Sequence, residues 1–191
     1  MDKIFREYDI RGIYGEDLNE DLAFKIGCAF GTLLRRNGKE RSAVARDGRE
    51  SSPALFKNLV RGLEASGIGV LDIGICPTPL LYFSLFHYPV GGGVMITASH
   101  NPGEYNGFKL CVGRESLHGE GIQDIKKMIQ AGDFVSGKAP ATETEPVIPA
   151  YLDYIKNQFK GVDAGGIKVV VDSGNGMGGL AGPAALKEMG C

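Results

Sequence analysis

The sequence lacks the features that would assign it to a class at once. No uninterrupted apolar run approaches the ~18 to 20 residues of a membrane span. The opening Met1-Asp2-Lys3-Ile4-Phe5-Arg6-Glu7 is too charged for a secretory signal. Charge of one sign is not in excess: 21 basic and 23 acidic residues leave a net charge of −2. Nothing in that balance points to nucleic acid, and neither a nucleic-acid nor a membrane partner is expected. Cysteine is sparse, and none of Cys28, Cys76, Cys111 and Cys191 forms a C-x-x-C pair. The three histidines supply no metal spacing beside them. His118-Gly-Glu120 has no following P-C-x-x-C, which excludes the zinc deaminase pattern. Cys28 and Cys111 lie in apolar runs and read as buried thiols, so a reducing cytoplasm is the expected compartment.

What is present describes a folded chain. An apolar fraction of 43% and a charged fraction of 23% are ordinary for globular proteins. The length of 191 residues allows one full domain and part of another. Glycine is the outlier, with 29 residues and no period. Many glycines fall between apolar runs, where the chain must turn or let something approach its backbone.

Asn19 is placed to cap a helix over residues 20–37, with Leu22, Ile26, Phe30 and Leu34 at helical spacing and Gly38 as its stop. A short strand over 42–46 follows, then a helix capped by Ser52 with Pro53 at its first position. Residues 69–75 form an apolar strand, 79–87 a short helix and 92–98 a second buried strand. Residues 107–112 are close enough to return antiparallel beside it, and 122–131 is a helix. Alternating strands and helices indicate an α/β fold, a three-layer α/β/α sandwich with a mixed, mostly parallel sheet. Residues 1–135 are the expected first domain. Residues 136–149 are Pro-rich without apolar period and read as a linker. Residues 150–191 read as the start of a second, similar domain, with a helix over 150–159, a strand over 167–171 and a helix over 183–189. A lone apolar strand invites pairing with another chain, so self-association through residues 150–191 is expected.

The densest polar cluster is Thr97-Ala98-Ser99-His100-Asn101-Pro102-Gly103-Glu104-Tyr105-Asn106-Gly107-Phe108-Lys109, directly after a buried strand. Ligands of open α/β sheets sit at the carboxyl ends of strands. Ser99 is therefore a hydroxyl presented at a strand end, with His100, Asn101 and Lys109 as neighbouring donors. That combination suits carrying or receiving a phosphoryl group.

T-A-S-H-N-P followed by Y-N-G-F-K resembles the phosphoserine loop of the α-D-phosphohexomutases. Phe5-Arg6-Glu7-Tyr8-Asp9-Ile10-Arg11-Gly12, Arg46-Asp47-Gly48-Arg49 and Val169-Val170-Val171-Asp172-Ser173-Gly174-Asn175-Gly176 are similar to further segments of that family, in the same order. The opening and Y-N-G-F-K look like its phosphomannomutase/phosphoglucomutase branch. Phosphoglucosamine mutases, the alternative, usually carry F-G-T-D-G-I-R-G and D-N-G-I-K.

The resemblance implies a chain forming the N-terminal part of an enzyme that interconverts hexose 1-phosphate and hexose 6-phosphate of mannose or glucose. Phosphorylated Ser99 and a hexose 1,6-bisphosphate intermediate would carry the reaction. It implies Mg2+, held here only by Ser99 through its phosphate. Lys109 matches the position for proton transfer and phosphate contact, and Arg11 and His100 match phosphate-facing positions. Asn101 and Tyr8 are further candidates at the cleft, Tyr8 mainly as a packing residue. For Arg46 and Arg49 two readings stand: phosphate contact, or salt bridges that hold the loop. The family's D-G-D-x-D-R metal loop and G-E-x-S-G sugar loop are absent from this sequence. Residues 1–191 by themselves are therefore expected to turn over no sugar phosphate.

Two other readings come from the residues. Gly174, Gly176 and Gly179 fit G-x-G-x-x-G between an expected strand and helix, as in a dinucleotide-binding module, whose confirming acidic residue ~20 positions on would fall past residue 191. A serine hydrolase would pair Ser99 with a histidine. G-x-S-x-G is missing, however, and adjacent Ser99 and His100 are expected to point apart.

Overall fold

The structure, a computed structural model, describes residues 2–191, with Met1 of the expected first domain lying outside the described residues. Helix α1 spans Glu20–Arg36, and the Asn19 side chain accepts from Leu22 N at its start. Glu20 and Asp21 sit in its first turn and Arg35 and Arg36 in its last, each complementing the helix dipole. Its apolar stripe, including Leu22, Ile26, Phe30 and Leu34, is buried. Helix α2 spans Ser52–Ala65 with Ser51, not Ser52, in the cap position. Ser52 is already the first helical residue, and its hydroxyl accepts from the Asn106 amide at 3.0 Å and donates to Asp47 Oδ1 at 2.8 Å.

Strands β1 (Ile10–Ile13), β2 (Arg41–Arg46), β3 (Gly69–Ile75), β4 (Gly92–Ile96), β5 (Tyr105–Val112), β6 (Glu115–Ser116) and β7 (Glu143–Thr144) build one sheet. Its order is β1-β5-β4-β2-β3-β7, with β6 on β5. Strands β2, β3, β4 and β7 pair in parallel, whereas β5 runs antiparallel to β1, β4 and β6. Alternate residues of β2 face opposite layers, as strand geometry requires. Val44 joins the core under α1, α2 and α4 (Glu120–Ala131). Ala43 and Ala45 join the core under α3 (Thr78–His87) and α5 (Val147–Gln158). Helices thus cover both faces of the sheet.

Helices α1 and α2 approach at backbone contact. A Cβ on Gly62 would collide with the Phe24 carbonyl oxygen, and one on Gly27 with that of Leu59. Gly62→Ala is expected to cost about 1–3 kcal/mol through overpacking. The check is a lower urea midpoint at unchanged slope.

The C-terminal third differs most from the sequence reading. Residues 136–149 do not run free. Glu143–Thr144 extends the sheet beside β3, and Arg41 bridges to Glu143 at 2.6 Å. Helix α5 starts at Val147 and lies on α3, where Phe83 meets Tyr151 and Tyr154 with ring centroids 5.4 and 5.3 Å apart. Helix α6 spans Gly178–Glu188, packs on α5, and holds Pro183 inside it instead of opening with it. The strand expected over 167–171 does not form. A strand exists only by pairing, and the sheet's edge beyond β3 is already taken by β7. Ile167, Val169, Val170 and Val171 are exposed, Val170 by 95%.

Candidate active site

The carboxyl ends of β2, β3 and β4 open onto one cleft of about 740 Å3. Asp47 to Arg49 follow β2, Cys76 to Thr78 follow β3, and Thr97 to Asn101 follow β4. Asn175 to Met177 of the tail supply another wall. Thr97 N still bonds Gly107 O, so the β4–β5 ladder holds the loop's base. The Thr97 hydroxyl then accepts from Ser99 N at 2.9 Å, and Asn101 N bonds Ala98 O. Between these two bonds the chain turns sharply at Ser99.

Ser99 is the one non-glycine among the described residues with positive φ, +56°. An L-residue holds that conformation only when its surroundings impose it. The turn brings Ser99 Oγ to 3.3 Å from His100 Nδ1, so the two adjacent side chains meet instead of pointing apart. No described hydrogen bond orients the other His100 ring nitrogen with a carboxylate, so a hydrolase triad is not assembled among the described residues.

A second cluster adjoins the loop. Asp9 Oδ2 accepts from Arg11 Nη2 and, at 3.1 Å, from Lys109 Nζ. Arg11 Nη1 donates to Asn101 Oδ1 at 2.6 Å, which ties this cluster to the Ser99 loop. Burial alone would push the Asp9 carboxyl up. Hydrogen bonds from Lys109 and Arg11, with their charges, outweigh it and hold the group below the usual carboxylate range. Gly107 lets β1 come this close, since a Cβ there would strike the Ile10 carbonyl oxygen.

Of the residues singled out by sequence, Ser99, His100, Asn101 and Arg49 line the cleft, and Arg11 and Lys109 join through Asn101 and Asp9. Arg46 stands apart, bonded to Asp72 at 2.8 Å with its guanidinium 4.2 Å over the Phe56 ring. Tyr8, read as a packing residue, is 69% exposed, with its ring 6.3 Å from that of His118. Sequence reasoning missed Asp9, Asp47, Ser52 and Asn106. Asn106 is fully buried, and its amide donates to Ser51 and Ser52 at 2.8 and 3.0 Å. The spacing of Asp9 and Arg11 was a usable signal, because residues two apart in an extended segment share a face.

Cys76, in the cleft wall, is fully buried, and burial pushes its thiol up to about 12, with Asp72 adding to the rise and Arg46 opposing it. Cys28 and Cys111 are buried too, and Cys191 is exposed. An aromatic disulfide reagent at neutral pH is expected to titrate one thiol in the native chain, Cys191, and all four after denaturation. Rapid native reaction at Cys76 would contradict the packing described.

The family model for phosphoglucomutase/phosphomannomutase, alpha/beta/alpha domain I, matches residues 2–136. The chain belongs to this family. A phosphomannomutase/phosphoglucomutase from Pseudomonas aeruginosa is 41% identical over 188 residues, 98% of this chain and 40% of that protein. A phosphoglucomutase from Neisseria gonorrhoeae is 42% identical over the same length, again 98% of this chain and 40% of that protein. A solved structure of a phosphoglucomutase/phosphomannomutase family protein from Burkholderia thailandensis superposes with a TM-score of 0.93 at 36% identity, covering 100% of this chain and 43% of that one. The chain thus spans about 40% of the length of the curated relatives it matches. The strand that G-x-G-x-x-G needs before Gly174 is not formed, which counts against the dinucleotide-binding reading.

Proposed function

We propose that this chain is the N-terminal, phosphoserine-bearing part of a phosphohexomutase. Its reaction interconverts the 1- and 6-phosphates of glucose and mannose through a hexose 1,6-bisphosphate. The observation that carries the reading is Ser99, fixed at positive φ on a strand-end loop facing the cleft. Phosphorylated Ser99 gives its phosphoryl group to a free sugar hydroxyl. The phosphorus bond to Ser99 oxygen breaks as the bond to sugar oxygen forms. The sugar hydroxyl's proton ends in effect on the freed Ser99 oxygen, and Lys109 Nζ beside the loop is our candidate relay, its ammonium giving a proton to the serine oxygen and taking the sugar's in exchange. After the bisphosphate turns over, its other phosphate returns to Ser99 by the reverse step. Arg11, His100 and Asn101 supply donors to phosphate oxygens.

Mg2+ would neutralise charge during transfer, and this chain offers it only the Ser99 phosphate. Among the described residues no three His, Cys, Asp or Glu side chains converge to hold a metal. The carboxylates built into the site, Asp9 and Asp47, are already bonded to Arg11, Lys109 and Arg49. These residues do not by themselves form a Mg2+ site.

No helix among the described residues is long and apolar enough to cross a membrane. The buried thiols fit a reducing, cytoplasmic setting. The exposed run Ile167–Val171 makes the tail our candidate for self-association, and sedimentation of Val170→Asp against the unaltered chain tests it. The complete enzyme, supplied with Mg2+ and catalytic glucose 1,6-bisphosphate, is expected to convert glucose 1-phosphate and mannose 1-phosphate to their 6-phosphates. Turnover of neither would refute the proposal.

A further inference from the structure

We infer that Arg49 is a positioning residue that clamps the Ser99 loop from below and makes no substrate contact. This deepens the functional reading above and rests on it. A guanidinium has five N–H donors and no acceptor. All five of Arg49 are used inside the protein. Nη1 donates to the carbonyls of Pro102 and Tyr105 at 2.5 and 2.9 Å. Nη2 donates to those of Ser99 and Asn101 at 3.0 and 2.7 Å. Nε donates to Asp47 Oδ2 at 3.0 Å. The Arg49 side chain is 12% exposed although it borders the cleft. No donor remains for a phosphate.

The clamp is itself anchored. Asp47 Oδ1 accepts from the Ser52 hydroxyl at 2.8 Å and from Arg49 N at 3.2 Å. Ser52 Oγ accepts from the buried Asn106 amide at 3.0 Å, and Asn106 Oδ1 accepts from Gly107 N at 2.8 Å. A continuous hydrogen-bonded path therefore runs from the start of β5, through the α2 N-terminus, to the loop that turns at Ser99. Without the fork the carbonyls of Ser99 and Asn101 in the loop, and of Tyr105 at the start of β5, lose the partner described for them, while the Pro102 carbonyl keeps Tyr105 N. The fork is also what faces the strained residue, since one of those carbonyls belongs to Ser99 itself. A lysine keeps the charge but not the planar fork, and one ammonium cannot span four carbonyls.

The test is Arg49→Lys, read in two ways. In the 191-residue chain, amide hydrogen exchange at Ser99, Asn101 and Tyr105 is expected to quicken by about tenfold or more, with β4 and α2 unchanged. In the complete enzyme kcat is expected to fall about a hundredfold with KM moved by less than about threefold. Asp47→Asn, which leaves the fork but loosens its base, should give the same pattern at smaller size, and it keeps the test decisive if the lysine variant does not fold. Unchanged loop exchange, or a raised KM at unaltered kcat, would overturn the clamp. Faster loop exchange in a protein whose Ser99 never carries phosphate would uphold the clamp while refuting the functional reading.

Discussion

Ser99→Ala is expected to lower the kcat of the complete enzyme by about a thousandfold or more, because in the proposed reaction it deletes the oxygen that holds the phosphoryl group between half-reactions. The loss should not come from unfolding. The Ser99 side chain makes one described contact, to His100 Nδ1, so stability is expected to stay within about 0.5 kcal/mol. Ser99→Gly separates the two effects further. Glycine adopts positive φ without the Cβ penalty, so that variant should be up to about 1 kcal/mol more stable and equally inactive. Steady-state kinetics beside urea unfolding measure both quantities. A Ser99→Ala enzyme with normal turnover would rule out Ser99 as the phosphoryl carrier.

Asp9→Asn is expected to be the most damaging change outside the loop. One carboxylate oxygen neutralises both Arg11 and Lys109, and the amide leaves two cations facing each other. Breaking a fully buried pair costs about 3–5 kcal/mol, and with Lys109 24% exposed we expect about 2–3 kcal/mol here. The acid limb of stability should change too. The folded Asp9 carboxyl titrates below its unfolded value of about 3.9, so its contribution is fully present above that value. It is lost as pH falls through the lower folded value. Urea midpoints taken from pH 7 downward are expected to draw together between the native chain and Asp9→Asn once the pH falls below about 3.9. A constant gap at every pH would show that Asp9 acts by shape and not by charge.

Which features the sequence discloses follows from how local their causes are. Helices α1 and α2 and strands β3 to β5 were readable because a period of apolar residues or an unbroken β-branched run is written in consecutive letters. Strand β1 was not, since its four residues include Arg11 and Gly12, and its order comes from pairing Ile10 with Phe108. Residues 167–171 show the opposite failure: the letters favour a strand, but no neighbour is available to make one. Ser99 and its loop were legible as a motif. The Arg49 clamp was not, because its partners are main-chain carbonyls 50 to 56 residues away, and a carbonyl has no letter. Residue type also left open whether Arg49 meets a ligand or the protein. The count of its filled donors is what separates the two.

The central claim is that the phosphoryl group rests on Ser99. The most direct measurement is to incubate the complete enzyme with labelled glucose 1,6-bisphosphate, digest it, and map the label by tandem mass spectrometry. The account predicts one phosphate per chain, on the peptide containing Thr97 to Lys109, at Ser99, and removable by excess hexose 1-phosphate. A label on Thr97, on His100 or outside this peptide, or a Ser99 phosphate that hexose 1-phosphate does not discharge, would contradict it.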